Sequence, residues 1–478
     1  MKSLIRIFVM LVGALPVALG QGLPDLGDVS QGDMSPQMER RLGESIMREI
    51  RADPSYSDDA EVTDYLNTLG YKLVAASADS RQQFTFFLIM DPQVNAFALP
   101  GGFVGINSGL MLTAQSESEL AGVVSHEVAH VTQRHMARML AQQKQSTVVS
   151  LAALAVAVLA ARSSPDVAQA AIAAAGASSV QSQLNYTRDH EREADRVGFQ
   201  VLEKAGFDAH AMALFFERMQ RATRFYETNA PAYLRTHPMT YERIADMQNR
   251  AQNLPYRQVT DSLEFQLMRA KIRSAQDTPQ EALAFFEESL GERKYLSEAA
   301  SRYGLVSALM RVKAYPRAGR ELATLRKSLP DNPAVDALAA RFYVATGDVN
   351  AAFQTYRDSL KSHPGYRALV YDYAELLLAN RQAGEALKLI ESRLQYSVSD
   401  YHMYQLQAKC YAALGKRLAQ HRASAEAYYR LGNVRAAIEQ LVLAQKSGDG
   451  DFYQQSSVDA RLRELRLQDD EARRDAKK

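Results

Sequence analysis

Cysteine is almost absent from this chain of 478 residues, which contains only Cys410 and cannot form an intramolecular disulfide bond. Charge of one sign is lacking too, because 56 lysines and arginines are balanced by 55 aspartates and glutamates. The net charge of +1 gives no indication of a nucleic acid as a partner. With no second thiol in the chain, we expect Cys410 to be buried and chemically inert.

Apolar runs long enough to span a membrane are also absent, and the one at the N-terminus is typical of a secretory signal peptide. Lys2 and Arg6 precede an apolar run over residues 7–19, and residues 18–20 resemble the small-residue pattern of a cleavage site. The run is too short for a secure membrane span, with an uncleaved anchor as the alternative. No cysteine lies near the cleavage site, which argues against a lipoprotein. We therefore expect residues 1–20 to direct export and to be removed.

The segment His126-Glu127-Val128-Ala129-His130 is an HExxH motif. Positions i and i+4 of a helix share one face, so the two imidazoles can bind one Zn²⁺, although nickel or cobalt would suit the same ligands. Glu127 lies about 100° around the helix, where it can accept a proton from a water on the metal. Apolar residues at helical spacing, together with the capping-box spacing of Ser116 and Glu119, predict a helix over residues 117–141.

A hairpin precedes this predicted helix. Residues 84–90 form a strand-like apolar run, and a Pro-Gly-Gly turn at residues 100–102 separates two further strand-like segments at residues 95–99 and 103–106. The edge of such a hairpin could bind a peptide by strand addition. The alternative is that the hairpin only covers the core.

A catalytic zinc needs a third protein ligand and one open position. Residues 190–196 begin another predicted helix, on which Glu191 and Asp195 share a face. Glu191 can bind the metal while Asp195 holds one of the motif histidines in place. His190 is a rival ligand, and Glu193 is expected to be structural.

His135 and an alanine-rich insert lie between the two predicted metal-binding helices. A continuous helix would place His135 about 140° away from the ligand face, so we expect it not to bind the metal. The insert, at about residues 145–180, has the pattern of a helical hairpin with a Ser-Ser-Pro turn at residues 163–165. Each arm is too short to span a bilayer. We expect a buried hairpin or an active-site lid, with peripheral membrane contact as the alternative.

The C-terminal half is built from repeats. The composition changes near residues 251–262, where we place a linker, and inter-helix turns then recur every 34 residues at Lys313, Gly347, Arg381 and Gly415. A small residue follows each of the first three turns at a constant offset of five, namely Ala318, Ala352 and Ala386. This is the period of the tetratricopeptide repeat (TPR), whose concave face binds peptides or partner proteins. We expect TPR helices over residues 262–470 and a charged tail at residues 471–478, with an ordinary helical bundle as the alternative.

The HExxH motif, followed some sixty residues later by the ExxAD pattern that starts at Glu191, resembles the HtpX and CAAX-prenyl-protease group of gluzincin metallopeptidases. Together with the signal peptide, the lack of membrane spans and the repeats, it resembles the BepA branch of that group over nearly the whole chain. The resemblance implies a mainly helical α+β fold. A zinc metalloprotease domain with a small β-sheet, residues 21–255, would precede an all-α TPR superhelix.

The same resemblance assigns roles to residues. It implies one Zn²⁺ on His126, His130 and Glu191, with Glu127 and Asp195 in catalytic roles. His237, in Thr-His-Pro at residues 236–238, would occupy the fourth zinc position and hold the protease silent, and an exposed turn histidine is the alternative. Arg243 could stabilise the oxyanion or contact substrate, and a helix-surface arginine is the alternative.

The function implied by this resemblance combines two activities in the Gram-negative periplasm. The protein would be a zinc endopeptidase that degrades misassembled outer-membrane proteins. It would also be a chaperone-like factor that assists their assembly at the β-barrel assembly machinery, with links to the lipopolysaccharide translocon. The alternative is mainly a TPR scaffold or chaperone whose peptidase site is normally autoinhibited.

Overall fold

A computed structural model describes residues 34–79, 82–142, 188–223, 232–252, 254–255 and 257–475. The predicted signal peptide at residues 1–20, the alanine-rich hairpin at about 145–180 and residues 476–478 of the predicted tail therefore lie outside the described residues. Elsewhere the chain follows the predicted fold class, since a small sheet with surrounding helices is followed by helices alone. No helix among the described residues is both long and apolar enough to cross a membrane.

The sheet has four strands in the order β1-β2-β4-β3. The central pair, β2 and β4, is parallel, and the two outer pairs are antiparallel. The predicted hairpin is confirmed, because β3 and β4 pair across a turn in which Gly101 and Gly102 adopt φ angles of 76° and 84°. The strand bounds are β1 Tyr56–Ser57, β2 Thr85–Ile89, β3 Ala96–Leu99 and β4 Phe103–Asn107.

Helices of the first half pack around this sheet and share its apolar core. Because β3 ends the strand order, its outer edge carries no strand among the described residues, and its face packs on α4. The helix bounds are α1 Pro36–Ala52, α2 Ala60–Ala76, α3 Ser108–Thr113, α4 Glu117–Thr132, α5 His135–Gln142, α6 Arg188–Lys204, α7 His210–Thr223, α8 Ala232–Thr236 and α9 Tyr241–Gln252.

The helix predicted over residues 117–141 is interrupted. It ends at Thr132, and α5 starts at His135 after Arg134, whose φ of 52° is incompatible with a continuous helix. The Arg134 guanidinium is held by the Glu39 carboxylate, 2.9 Å from Nε, and by the Met34 carbonyl, 2.6 Å from NH2. Contacts with α1 and with the residues before it thus fix a break that the local sequence does not signal.

The second half consists of antiparallel helix pairs whose turns fall at the predicted period. Lys313, Gly347, Arg381 and Gly415 all adopt left-handed φ angles between 60° and 81°. Ala318, Ala352 and Ala386 are fully buried at 0% exposure, as close packing of the second helix in each repeat requires. The helix bounds are α10 Leu263–Gln276, α11 Pro279–Gly291, α12 Glu298–Arg311, α13 Tyr315–Ser328, α14 Pro333–Thr346, α15 Val349–Ser362, α16 Arg367–Ala379, α17 Ala383–Leu394, α18 Tyr401–Ala413, α19 Arg417–Arg430, α20 Val434–Lys446 and α21 Phe452–Asp475.

One detail differs from the sequence interpretation at the C-terminal end of the chain. The charged tail predicted from residue 471 begins inside α21, which extends to Asp475. After Gly415 the next left-handed turn glycine is Gly432, only 17 residues later. These two glycines lie at the two ends of α19. The single thiol agrees with its prediction, because Cys410 is buried.

The predicted linker at residues 251–262 is hydrogen-bonded to the N-terminal half. Glu117 at the start of α4 accepts hydrogen bonds from the Ser262 backbone N–H at 2.9 Å and from its hydroxyl at 2.7 Å. The Glu117 backbone N–H in turn donates to Asp261 Oδ1 at 2.7 Å. One continuous apolar core runs from α2 and the sheet into α14. The repeats are therefore packed onto the N-terminal half along an apolar interface.

Candidate metal centre

Four buried side chains from three parts of the fold converge on one point. His126 and His130 come from α4, Glu191 comes from α6, and His237 follows α8 directly. One donor atom of each lies within 4.8 Å of the donor atoms of the other three. His190, the rival ligand in the sequence, is not part of this group.

The separations between donor atoms fit a single small cation. His126 Nε2 lies 3.0 Å from His130 Nε2 and 3.4 Å from His237 Nδ1. Glu191 Oε1 is 3.0 Å from His237 Nδ1 and 3.5 Å from His130 Nε2. A tetrahedron with metal–ligand bonds of about 2.0–2.1 Å has edges of about 3.3 Å. Three imidazoles and one carboxylate at this spacing therefore form a donor set that suits zinc.

Close packing of α6 on α4 brings these ligands together. Gly198 lies where a Cβ atom would be 3.0 Å from both the backbone N and the Cα of His126. Only glycine allows the two helices to approach this closely at that point. The backbone that carries Glu191 is thereby held against the backbone that carries His126.

Charges around the ligands shift their proton affinities. Burial alone would raise the pKa of Glu191, but His237 and hydrogen bonds from His126 and His237 hold it well below its usual range. Burial would likewise lower the pKa of His126, but its contacts with Asp195 and Glu191 raise it to about 9. Burial and the neighbouring His126 lower the pKa of His130 well below its usual value. The centre holds an ionised carboxylate that favours a cation among the imidazoles.

Glu127 is fully buried, and the Ala98 backbone of β3 lies beside its carboxylate. Its Oε1 lies 3.5 Å from His237 Nε2, so His237 stands between Glu127 and the other ligands. Burial raises the pKa of Glu127, with His237 and His126 acting in the opposite direction. A raised pKa makes this carboxylate a better proton acceptor than an exposed one.

Asp195 and Arg243 support the ligands from behind. Asp195 Oδ1 lies 3.0 Å from His126 Nδ1, the ring nitrogen that faces away from the centre. Arg243 is only 3% exposed, so the surface-arginine alternative is wrong. Its NH1 is 2.8 Å from Glu191 Oε2 and also donates to the Pro238 carbonyl at 2.8 Å. These contacts favour a role in holding the ligands over direct contact with substrate.

His237 is held in place by its own segment. It is 1% exposed, which excludes the exposed-turn alternative, and its backbone N–H donates to the Tyr233 carbonyl at 2.8 Å. The Tyr233 ring stacks on the His237 ring at 4.8 Å. The Tyr233 backbone N–H binds the Val94 carbonyl at 3.2 Å, just before β3. The segment of His237 therefore closes over both the ligands and the approach to the edge strand.

The sequence predicts that His135 does not bind the metal and that Glu193 is structural. In the structure, both side chains lie directly beside the candidate ligands. His135 Nδ1 is 2.8 Å from His130 Nδ1, and His135 Nε2 is 3.2 Å from Glu193 Oε2. Arg138 NH1 donates to the same Glu193 oxygen at 2.8 Å, and the His190 ring stacks on His135 at 4.6 Å. The expectation for His135 assumed a continuous helix. The break at Arg134 turns His135 back toward His130.

Comparison with known proteins relates both halves of the chain to described families. Residues 60–251 match Peptidase family M48, and residues 343–410 match a tetratricopeptide repeat. Over 93% of its length the chain is 35% identical to a putative beta-barrel assembly-enhancing protease of Vibrio cholerae, of which it covers 92%. It is 31% identical to the beta-barrel assembly-enhancing protease of Escherichia coli, over 93% of this chain and 91% of that protein. The counterpart from Yersinia pestis is 29% identical over the same shares.

Proposed function

Because this chain belongs to the family of beta-barrel assembly-enhancing proteases, we propose that it is a zinc endopeptidase of the periplasm that acts on outer-membrane proteins during their assembly. The resemblance inferred from its motifs is thereby confirmed, and the chain is an M48-type metallopeptidase with TPR-like repeats. The convergence of His126, His130 and Glu191 beside a buried Glu127 is the observation that carries the proposal.

The family implies a metal. We propose in addition that His126, His130 and Glu191 are the protein ligands of a catalytic zinc. When bound, zinc supplies a Lewis acid that activates water and polarises a carbonyl. Glu127 acts as general base and then returns the proton to the leaving amine, a double role that its raised pKa supports. Asp195 orients His126 through the Nδ1 contact, and Arg243 holds Asp195 and Glu191.

The resting site is proposed to be closed by His237. Its Nδ1 faces Glu191 and His126, while its Nε2 faces Glu127. A fourth protein ligand there leaves no open position for substrate, which a catalytic zinc needs. Opening requires α8 to move away from Val94 and from the neighbouring aromatic rings. This arrangement also gives physical support to the second candidate function, a TPR scaffold whose peptidase is normally silent.

Substrate would enter along β3. This strand is at the edge of the sheet and packs on α4, next to the proposed general base. An extended peptide could add to this edge through main-chain hydrogen bonds, which would accept many unfolded sequences. Such tolerance suits a protease that removes stalled outer-membrane proteins.

The repeats are the proposed site for partners. TPR superhelices bind peptides and proteins, and the names of the relatives refer to β-barrel assembly. We propose that the repeats dock on the β-barrel assembly machinery and, secondarily, on components of the lipopolysaccharide translocon. The signal peptide predicted at residues 1–20 supports a location in the periplasm.

A Glu127→Gln variant tests the peptidase proposal. It keeps the shape of the side chain but cannot accept the proton, so we expect loss of more than about 99% of peptide hydrolysis with full zinc content. Zinc would be quantified in the purified protein, and cleavage measured on an unfolded outer-membrane protein. Equal cleavage by the variant and the parent chain would refute the role of Glu127.

Comparison of Glu127→Gln with the parent chain and with an empty vector separates the two candidate functions in cells that lack the protein. The readout is the envelope defect, measured as sensitivity to large antibiotics. If the point variant restores the envelope fully, the scaffold function is favoured. If the point variant restores the envelope no better than an empty vector does, the enzymatic function is favoured.

A further inference from the structure

The two motif histidines have outward-facing nitrogens with different partners. His126 Nδ1 meets a carboxylate, Asp195, at 3.0 Å. His130 Nδ1 instead lies 2.8 Å from Nδ1 of another histidine, His135. The other ring nitrogen of His135, Nε2, lies 3.2 Å from Glu193 Oε2. Each histidine is thus connected to a carboxylate. His126 contacts Asp195 directly, and His130 is connected to Glu193 through the His135 imidazole.

Only one arrangement of protons satisfies this chain of contacts. If His130 binds a cation through Nε2, its single proton is on Nδ1 and is donated to His135. His135 must then accept at Nδ1 and carry its own proton on Nε2, which is donated to the Glu193 carboxylate. The Glu193 carboxylate accepts this hydrogen bond and a second one from Arg138. Every contact in the chain then pairs one donor with one acceptor.

We propose that His135 and Glu193 form a positioning pair that fixes the tautomer and the ring orientation of His130 for metal binding. The inference rests on the metal site proposed above. It assigns to His135 a role in metal binding without direct contact with the metal. Outer partners of this kind hold ligand rings in register and raise their basicity.

The position of His135 depends on the break between α4 and α5. Arg134 has a left-handed φ of 52°, and Glu39 and the Met34 carbonyl hold its side chain. His135 is 0% exposed, with His190 stacked on its outer face. Both ring nitrogens of a buried histidine need polar partners, and for His135 one of these partners is the proposed metal ligand His130.

Variants at His135 distinguish positioning from packing. His135→Phe fills the space but removes both hydrogen bonds, whereas His135→Asn can place an amide oxygen near the former Nδ1 and accept from His130. We expect His135→Phe to weaken zinc binding about 10- to 100-fold, and His135→Asn to recover most of this loss. Glu193→Ala should weaken binding by about tenfold, because His135 then loses the acceptor that selects its tautomer. His210→Phe, on α7 and paired with Asp208, is the matched control and should bind zinc as the parent does.

The readouts are zinc affinity, from competition with a chromophoric chelator, and thermal unfolding of the metal-free proteins. Equal zinc affinity of His135→Phe and the parent would overturn the inference, as would equal losses in the Phe and Asn variants with unchanged metal-free stability. If His135→Phe does not fold, the Asn and Glu193→Ala variants decide, and parental affinity in Glu193→Ala would overturn it. Failure of the parent chain itself to bind zinc would refute the proposed function instead.

Discussion

Arg243 binds Asp195 through two hydrogen bonds, 2.6 Å from Nε to Oδ2 and 2.8 Å from NH2 to Oδ1, directly behind the proposed metal ligand His126. Both side chains are 3% exposed. A planar guanidinium that grips a buried carboxylate with two bonds restricts its rotation, and Asp195 can therefore orient His126. The same arginine reaches Glu191, so one side chain supports two of the proposed ligands.

Arg243→Lys should therefore weaken the site although charge is conserved. An ammonium cannot make the paired contacts with Asp195 and also reach Glu191, and we expect zinc affinity to fall by about 10- to 100-fold. Arg250→Lys is the control, since Arg250 lies on the same helix in an exposed ion pair with Asp246. Zinc content after dialysis against graded chelator measures both. Identical retention by the two variants would contradict the supporting role.

The side chains that converge on the candidate metal centre were predictable from sequence because their geometry is mostly local. HExxH and ExxAD each place their side chains by helical spacing, and the structure brings His126, His130 and Glu191 together with His237. The position of His135 beside His130 was not predictable, because the helix breaks at Arg134 without a glycine or proline. Contacts from residues about 100 positions earlier stabilise that break. Sequence periodicity carries no information about such long-range contacts.

The same distinction applies to the fold. The 34-residue turns were predictable since each is a local left-handed conformation that recurs in the sequence. The contact between the halves was not, because Glu61 meets partners that are 210 to 305 residues away. Glu61 is also only 3% exposed, whereas glutamate is usually a surface residue.

Gly198→Ala should disturb the metal centre without altering any polar group. The added methyl would lie 3.0 Å from two backbone atoms of His126, so α6 and α4 must separate by a few tenths of an ångström. We expect the protein to lose about 1–3 kcal/mol of stability and to bind zinc more weakly. Gly384→Ala, in a helix with no atom within 4 Å of the new methyl, should be neutral or slightly stabilising. Calorimetry with and without zinc tests both, and similar behaviour of the two variants would be inconsistent with the close approach.

His237→Ala should raise proteolysis by the purified protein. If His237 closes the site, its removal leaves a coordination position free and removes the contact with Glu127. We expect about tenfold faster cleavage of an unfolded outer-membrane protein, which corresponds to about 1.4 kcal/mol of preference for the closed form. His210→Ala serves as the control for loss of a histidine elsewhere. Unchanged or slower cleavage by His237→Ala would argue that this residue assists catalysis instead of blocking it.

Glu61 is the centre of the contact between the peptidase half and the repeats. Its carboxylate accepts hydrogen bonds from Lys271 of α10, from Arg341 of α14 at 2.9 Å, and from the Tyr366 hydroxyl at 2.8 Å. Burial would raise the pKa of Glu61, but Lys271 and Arg341 lower it from 4.5 to about 2. This lower pKa corresponds to a contribution of roughly 3 kcal/mol to the free energy of unfolding at neutral pH.

The sign of the pH dependence follows from this lowered pKa. A carboxyl group with a lower pKa in the folded than in the unfolded protein stabilises the fold fully above pH 4.5, and the contribution is lost as pH falls toward about 2. Glu61→Gln should therefore reduce the free energy of unfolding by roughly 3 kcal/mol at pH 7, and by less at pH 3.5.

Urea denaturation of the metal-free proteins at the two pH values measures this difference. Glu385→Gln is the control, because Glu385 is 65% exposed in its ion pair with Lys388 and should change stability by no more than about 0.5 kcal/mol. A Glu61→Gln deficit that is the same at pH 7 and pH 3.5 would mean that the charge of Glu61 does not hold the halves together. A deficit that shrinks with acidity would identify an electrostatic contact that keeps the repeats fixed on the peptidase.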